Sequence, residues 1–211
     1  MDATFWTERW TTGKIAFHEG HANTYLTRHA ERLGDGRRIL VPLCGKAEDL
    51  AYLAGRGHHV VGVELVEDAA RAFFAEHGAT PKVTPRGPLT AYSAGTITVL
   101  VGDMFATTPE LLGPIDTLYD RAALVALPHE MRVRYARHLR TLLPTGAPGL
   151  VVTIEYDQAR MAGPPFAVLE SELREHYRGL TVELLSEGPS VVTKLHDAGI
   201  EAKDRCFFVQ Y

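Results

Sequence analysis

A chain of 211 residues is long enough for one α/β domain with a substantial core and too short for two ordinary ones. A net charge of −4 at pH 7 argues against the basic face that nucleic-acid phosphates require, and no apolar run approaches the roughly 18 residues of a membrane span. The opening MDATFWTERW lacks the apolar stretch of a signal peptide, and Cys44 and Cys206 have no ligand-like spacing, so a cytoplasmic protein with reduced thiols and no metal is expected.

Residues 1–36 are rich in aromatic side chains, among them Phe5, Trp6, Trp10, Phe17 and Tyr25, and a segment this apolar should dock on the domain as short helices. It is either a packing extension or a lid that closes over a ligand with Trp10 or Phe17 against it. His18 and His21 have no third metal ligand patterned nearby and are read as solvent-facing.

From residue 37 to residue 64 the pattern is strand, tight turn, helix, strand. Ile39, Leu40 and Val41 make a short apolar run of the kind a buried parallel strand shows. Leu50, Leu53 and Ala54 recur at helical spacing before Gly57, and Val60, Val61 and Val63 form the next strand. Glu64 ends that strand, about 20 residues past the glycine turn, where nucleotide-binding folds keep the acid that accepts from ribose hydroxyls. The turn itself, Pro42-Leu43-Cys44-Gly45-Lys46, has one glycine, whereas a dinucleotide fold would show G-x-G-x-x-G. A ligand holding adenosine without phosphates needs the acid and one close approach of backbone, at Gly45. S-adenosylmethionine is such a ligand; NAD and an empty doubly wound fold are the alternatives.

Residues 68–77 place Ala70, Phe73 and Phe74 on one helical face and stop at Gly78. Residues 79–95 hold Pro81, Pro85, Pro88, Gly87 and Gly95, which predicts a loop or irregular insert. A β-branched strand over 96–101 runs into Gly102-Asp103-Met104-Phe105. Polar residues past a strand's carboxyl end face the ligand crevice, so Asp103 is expected to bond the adenine amino group and Met104 to pack on the ring, with helix N-cap as the rival role for Asp103. A fourth strand over 115–119 leads into Asp120-Arg121, either an internal ion pair or part of the site. Pro128 opens a helix with Met131, Tyr135, Leu139 and Leu142 on one face. A fifth strand covers 150–154. Gly163-Pro164-Pro165-Phe166 is a rigid turn that either walls an acceptor pocket or links two elements. A short helix over 169–177 follows, and the β-rich runs 181–185 and 206–211 suggest an antiparallel pair at one edge. Five parallel strands alternating with helices, then a hairpin, is the order of a class I methyltransferase. The expected architecture is one Rossmann-like α/β domain with a mostly parallel seven-stranded sheet, a C-terminal antiparallel hairpin, helices on both faces, and residues 1–36 as lid or extension.

Six blocks in fixed order carry a resemblance: Phe5-Trp6-x-x-Arg9-Trp10, Ala16-Phe17-His18, Val41-Pro42-Leu43-Cys44-Gly45-Lys46, Val61-Gly62-Val63-Glu64-Leu65, Tyr119-Asp120-Arg121-Ala122-Ala123-Leu124 and Gly163-Pro164-Pro165-Phe166. The chain resembles the thiopurine S-methyltransferase family, closest in style to its bacterial members. The resemblance implies S-adenosylmethionine held by Trp10, Leu43, Glu64 and Arg121, and S-methylation of aromatic or heterocyclic thiols. Bacterial relatives are also associated with selenium and tellurium chemistry. It sets Arg121 beside the acceptor and matches Lys194, ahead of Gly199-Ile200, to a second basic residue there. Phe17 and Pro165 complete the acceptor-binding set. Ala47, Glu48 and Asp49 depart from the serine and leucine usual after the Gly-Lys turn.

Methyl transfer from a sulfonium is an in-line displacement that cancels charge, so alignment in a dry pocket supplies most of what is needed. Arg121 is expected to hold an anionic sulfur or selenium acceptor and lower its pKa, with Asp120 orienting it or belonging to the backbone network. A small thiol or selenol is the expected partner of a monomeric enzyme. Halide, thiocyanate or metalloid methyl transfer, a nicotinamide oxidoreductase, and a cofactor-binding module without turnover are the rival readings.

Overall fold

The computed structural model describes residues 3–13 and 19–211, so the expectations for Phe17 and His18 lie outside the described residues. Nine strands form one sheet: β1 (Arg38–Pro42), β2 (His59–Glu64), β3 (Lys82–Arg86), β4 (Leu89–Ala94), β5 (Ile97–Val101), β6 (Thr117–Arg121), β7 (Pro148–Tyr156), β8 (Thr181–Pro189) and β9 (Ala202–Gln210). Their order is β3-β4-β5-β2-β1-β6-β7-β9-β8. The helices are α1 (Ala3–Thr11), α2 (Thr24–His29), α3 (Asp49–Gly55), α4 (Glu67–Glu76), α5 (Pro109–Leu112), α6 (His129–Leu142), α7 (Glu170–His176) and α8 (Thr193–Asp197).

The five central strands, β5, β2, β1, β6 and β7, pair in parallel. Because both faces of such strands are covered, they read as continuous apolar runs, and β1 and β2 are buried along nearly their whole length. Successive side chains feed two cores. Leu40, Val61, Val63, Leu118 and Val151 join Tyr135 and Leu139 of α6 on one face. Ile39, Val41, Val60 and Tyr119 join Leu50 and Leu53 of α3, Phe73 and Phe74 of α4, and Tyr25 and Leu26 from α2 on the other. Each fully buried side chain of this size stabilises the fold by about 1.5–3 kcal/mol.

β1 neighbours β2 on one side and β6 on the other, so the chain direction across the sheet reverses there. Ligands of open α/β sheets bind outside the carboxyl ends of the strands at that switch point.

The expected class holds, with two differences in detail. Residues 79–95 are not an irregular insert: they form the β3–β4 hairpin, which pairs antiparallel with β5 and brings the sheet to nine strands instead of seven. Pro85 is tolerated because β3 is an edge strand, where one missing N–H need not interrupt a ladder, and Gly87 (φ +62°) makes the turn. Leu89 then packs so closely on Gly102 that a Cβ there would come within 2.4 Å of Leu89 Cδ2. At the other edge β9 lies between β7 and β8, antiparallel to both. The connection between β8 and β9 contains α8. Among the described residues, no helix is long and apolar enough to cross a membrane.

Candidate functional site

A cavity of about 240 Å³ lies at the switch point, lined by Leu43 and Gly45 after β1, Glu64 at the end of β2, Asp103, Met104 and Phe105 after β5, and Arg121 and Ala122 at the end of β6. Leu43 (φ 48°) and Ala122 (φ 67°) are the two non-glycine residues with positive φ among the described residues. Such backbone costs on the order of 1–3 kcal/mol and persists where surrounding structure fixes it. Both strained residues line the cavity.

Glu64 is 7% exposed. Its Oε2 accepts from the Gly45 amide and its Oε1 from the Val66 amide, each at 2.8 Å. Burial raises its pKa, and the Val66, Gly45 and Leu65 amides oppose that rise. The carboxylate thus ties the turn after β1 to the turn after β2. Each of its oxygens retains a second lone pair for a hydroxyl donor. That pair of acceptors fits a ribose with two neighbouring hydroxyls.

Asp103 takes the rival role: its Oδ1 accepts from the Phe105 amide at 2.9 Å and caps the short 3-10 turn Met104–Ala106. The capping carboxylate still lines the cavity, as does the buried Met104. Phe105 carries the Arg134 guanidinium 3.9 Å above its ring.

Arg121 is the hub of an acidic cluster. Its guanidinium pairs with Glu19, which also accepts from Asn23 Nδ2 at 3.3 Å. Asp49, 2% exposed at the start of α3, accepts from the Asn23 amide at 2.7 Å and from Tyr119 Oη at 3.1 Å. Burial alone would weaken the proton affinity of Arg121; Asp49, Tyr119 and Glu19 more than offset it. Asp49 is itself pushed up by burial against the opposing pull of Arg121 and its two donors. Asp120 does not orient Arg121, because successive residues of β6 face opposite sides of the sheet. It is fully buried on the α6 side, accepts from Tyr135 Oη at 2.8 Å and from the Leu124 amide at 3.4 Å, and burial pushes its pKa up to about 6.

The cavity continues toward β7 and β9, between Trp6, Arg9 and Trp10 of α1 and a wall that includes Val152, Ile154, Pro164, Pro165, Val192 and Asp204. The Pro165 carbonyl accepts from Tyr156 Oη at 2.6 Å, and the peptide bonds before Pro164 and Pro165 are cis. Lys194 lines the same space and donates to the Pro164 carbonyl at 3.0 Å; burial, then Arg9, lowers its pKa. The sequence reading missed Glu19, Asp49 and Asp204 as site residues. Glu19 lies 102 positions from Arg121 and no local pattern joins them. Asp204 left no distinct trace either, because in β9 it sits between Lys203 and Arg205 and reads as part of a short charged run.

Among the described residues, one group has metal-ligand spacing, His129, Glu172 and His176, and none of the three lines the cavity. Arg132 Nε sits 2.8 Å from the same Glu172 oxygen that both histidines approach at 3.0 Å, so the cluster acts as an ion-pair hub joining α6 to α7.

A parallel sheet with its switch point at β1, a buried acid ending β2 and a cavity over the carboxyl ends defines a class I, S-adenosylmethionine-dependent methyltransferase. The chain belongs to the thiopurine S-methyltransferase family, whose model matches residues 1–206. It is 52% identical over 181 residues to the thiopurine S-methyltransferase of Pseudomonas aeruginosa strain UCBPP-PA14, covering 85% of this chain and 83% of that one. Over 214 residues it is 47% identical to that of strain LESB58, covering 99% and 98% of the two chains. The enzyme of the same description from Xanthobacter autotrophicus is 51% identical over 180 residues, 84% of each chain.

Solved structures at low identity share the fold. The Burkholderia thailandensis 1,6-didemethyltoxoflavin-N1-methyltransferase, with its acceptor and S-adenosylhomocysteine bound, superposes with a TM-score of 0.66 at 16% identity over 99% of this chain and 87% of that one. TehB from Haemophilus influenzae gives 0.63 at 16% identity over 87% and 60%.

Proposed function

We propose that the enzyme methylates the sulfur, or selenium, of a small aromatic or heterocyclic acceptor. The observation that carries this reading is the continuity of one cavity, from the buried acid Glu64 to a compartment walled by Trp6, Val152, Ile154, Pro164 and Pro165 that suits a flat apolar ring. Relatives at about half identity are described as thiopurine S-methyltransferases, which supports sulfur as the target.

S-adenosylmethionine supplies the electrophilic methyl group. Glu64 accepts from the ribose hydroxyls, the backbone at Leu43 and Gly45 lies against the nucleoside, Asp103 and Met104 border the adenine, and Trp10 closes over the cofactor from α1. Pro165 and Lys194 border the acceptor. Arg121 stands where the two ends of the cavity meet. Although one N–H of its planar fork is taken by Glu19, others remain to hold an anionic sulfur, and the group stays charged at every working pH. The apolar walls exclude water from the reacting pair, which favours a displacement that disperses charge.

Transfer of radiolabelled methyl from S-adenosylmethionine to a panel of thiophenol, a heterocyclic thione, a selenol, iodide and tellurite tests the reading. Turnover of the sulfur and selenium acceptors at rates well above the inorganic ones is expected; turnover of iodide or tellurite alone would contradict it.

A further inference from the structure

On α7, Glu172 Oε1 is met by three nitrogens. His129 Nδ1, from the first residue of α6, and His176 Nε2, one turn further along α7, each lie at 3.0 Å, and Arg132 Nε lies at 2.8 Å. A carboxylate oxygen has two lone pairs, and the histidines take them. Arg132 Nε, though close, is out of line and makes no hydrogen bond. Its guanidinium is held elsewhere, by Nη2 on Glu172 Oε2 at 3.3 Å and by Nη1 on the Ala167 carbonyl at 3.2 Å. Burial sets two of the three side chains in place: His176 is 4% exposed and Glu172 17%, whereas His129 is 64% exposed and opens the cluster to solvent. The three ligand atoms all lie within 4.8 Å of one another. None of these residues lines the cavity, and methyl transfer makes no use of them.

We propose that His129, Glu172 and His176 form a binding site for a zinc-like divalent cation, which clasps the start of α6 to α7. Two imidazoles and a carboxylate, with a fourth position open to water, are a donor set that Zn²⁺ takes, and the two nitrogens select it over Mg²⁺ and Ca²⁺, which prefer oxygen. A neutral histidine that donates through one ring nitrogen presents a lone pair at that same atom in its other tautomer. The cation therefore replaces two N–H contacts without changing the charge of either ring. Tetrahedral ligation with bonds of about 2.0–2.1 Å sets the ligand atoms about 3.3 Å apart. Two of the spacings here are already 3.0 Å, and the exposed His129 ring has the freedom to close the third. Arg132 then serves as the outer partner of the ligating carboxylate through Oε2, the kind of support that orients a metal ligand. This departs from the expectation of no metal, which rested on the cysteine spacing and on His18 and His21. His129 lies 43 positions from Glu172, and only the packing of α6 on α7 brings them together.

Untagged, chelator-treated enzyme titrated with Zn²⁺ in a calorimeter should bind one ion at this site, and Co²⁺ should give the visible d–d absorption of a four-coordinate nitrogen–oxygen centre. Mg²⁺ and Ca²⁺ should produce no binding heat. At a hundredfold excess over its Kd, Zn²⁺ should raise Tm by about 5–10 °C. His129→Ala truncates an exposed side chain, so its Tm without metal and its S-adenosylhomocysteine affinity should stay close to wild type. The same variant should weaken Zn²⁺ binding by more than about tenfold, the least that losing an outer partner alone costs, and should abolish both the cobalt band and the rise in Tm. Wild-type enzyme that binds neither Zn²⁺ nor Co²⁺ at micromolar concentration would overturn the proposal, and that result needs no variant to fold. Equal Zn²⁺ affinity in wild type and His129→Ala would also overturn it, by placing the ion on other histidines.

Discussion

Glu64 and Arg121 are both buried charges at the mouth of the sheet, but their surroundings assign them different work. Glu64 holds two backbone amides and keeps lone pairs free, so Glu64→Ala should weaken S-adenosylhomocysteine binding by about 1.5–3 kcal/mol, roughly ten- to a hundredfold, measurable by calorimetry. Arg121 is a structural partner as well as a candidate catalyst. Its removal strands Glu19 and Asp49 near one another, so Arg121→Ala should cost about 3 kcal/mol in urea denaturation in addition to lowering kcat/KM, with Arg121→Lys recovering part of each. Asp120 gives a pH signature. Its pKa is about 6 in the folded protein against 3.8 for an ordinary aspartate, so the folded state holds the proton more tightly. The corresponding stability is fully present below pH 4 and is lost as pH rises through 6, a change on the order of 3 kcal/mol. The stability difference between wild type and Asp120→Asn, followed from pH 4 to 7, should move in that direction.

At the scale of elements, α1 contributes Trp6, Arg9 and Trp10 to the cavity, and cofactor bound there would give these side chains a surface to cover. Amide exchange over residues 4–13 should therefore slow when S-adenosylhomocysteine is added; equal protection with and without it would make α1 a packing extension. The segment from β1 to β2 was legible from sequence because local signals agree there: an apolar run, helical spacing, a glycine stop and an acid at the strand end. The β3–β4 hairpin was not, since Pro85 and Pro88 signal a break while the edge position that tolerates Pro85 is a property of the assembled sheet. The acidic cluster around Arg121 was hidden for a similar reason. Glu19, Asp49 and Asp204 come from a loop, a helix start and the last strand, and only the fold brings them to one place. Leu43 and Ala122 show the limit of reading glycine as the mark of left-handed backbone, because here a leucine and an alanine hold it at the cavity wall.

For the whole molecule, the sheet sets the reaction geometry. Reversal of strand order at β1 opens the crevice, β2 and β5 border the end that holds Glu64, and β6, β7 and β9 border the end that holds Pro164 and Pro165, with Arg121 between them. Two well-filled cores on opposite faces hold these strand ends in register, so the cavity is a product of the scaffold and not of one loop. The central claim is that this cavity directs a methyl group to sulfur. A heterocyclic thione offers both nitrogen and sulfur to the same methyl donor, which makes it the sharpest substrate for the question. With S-adenosylmethionine labelled with ¹³C at the methyl carbon, NMR of the product should show the labelled carbon bonded to sulfur; a labelled carbon bonded to ring nitrogen would contradict the account.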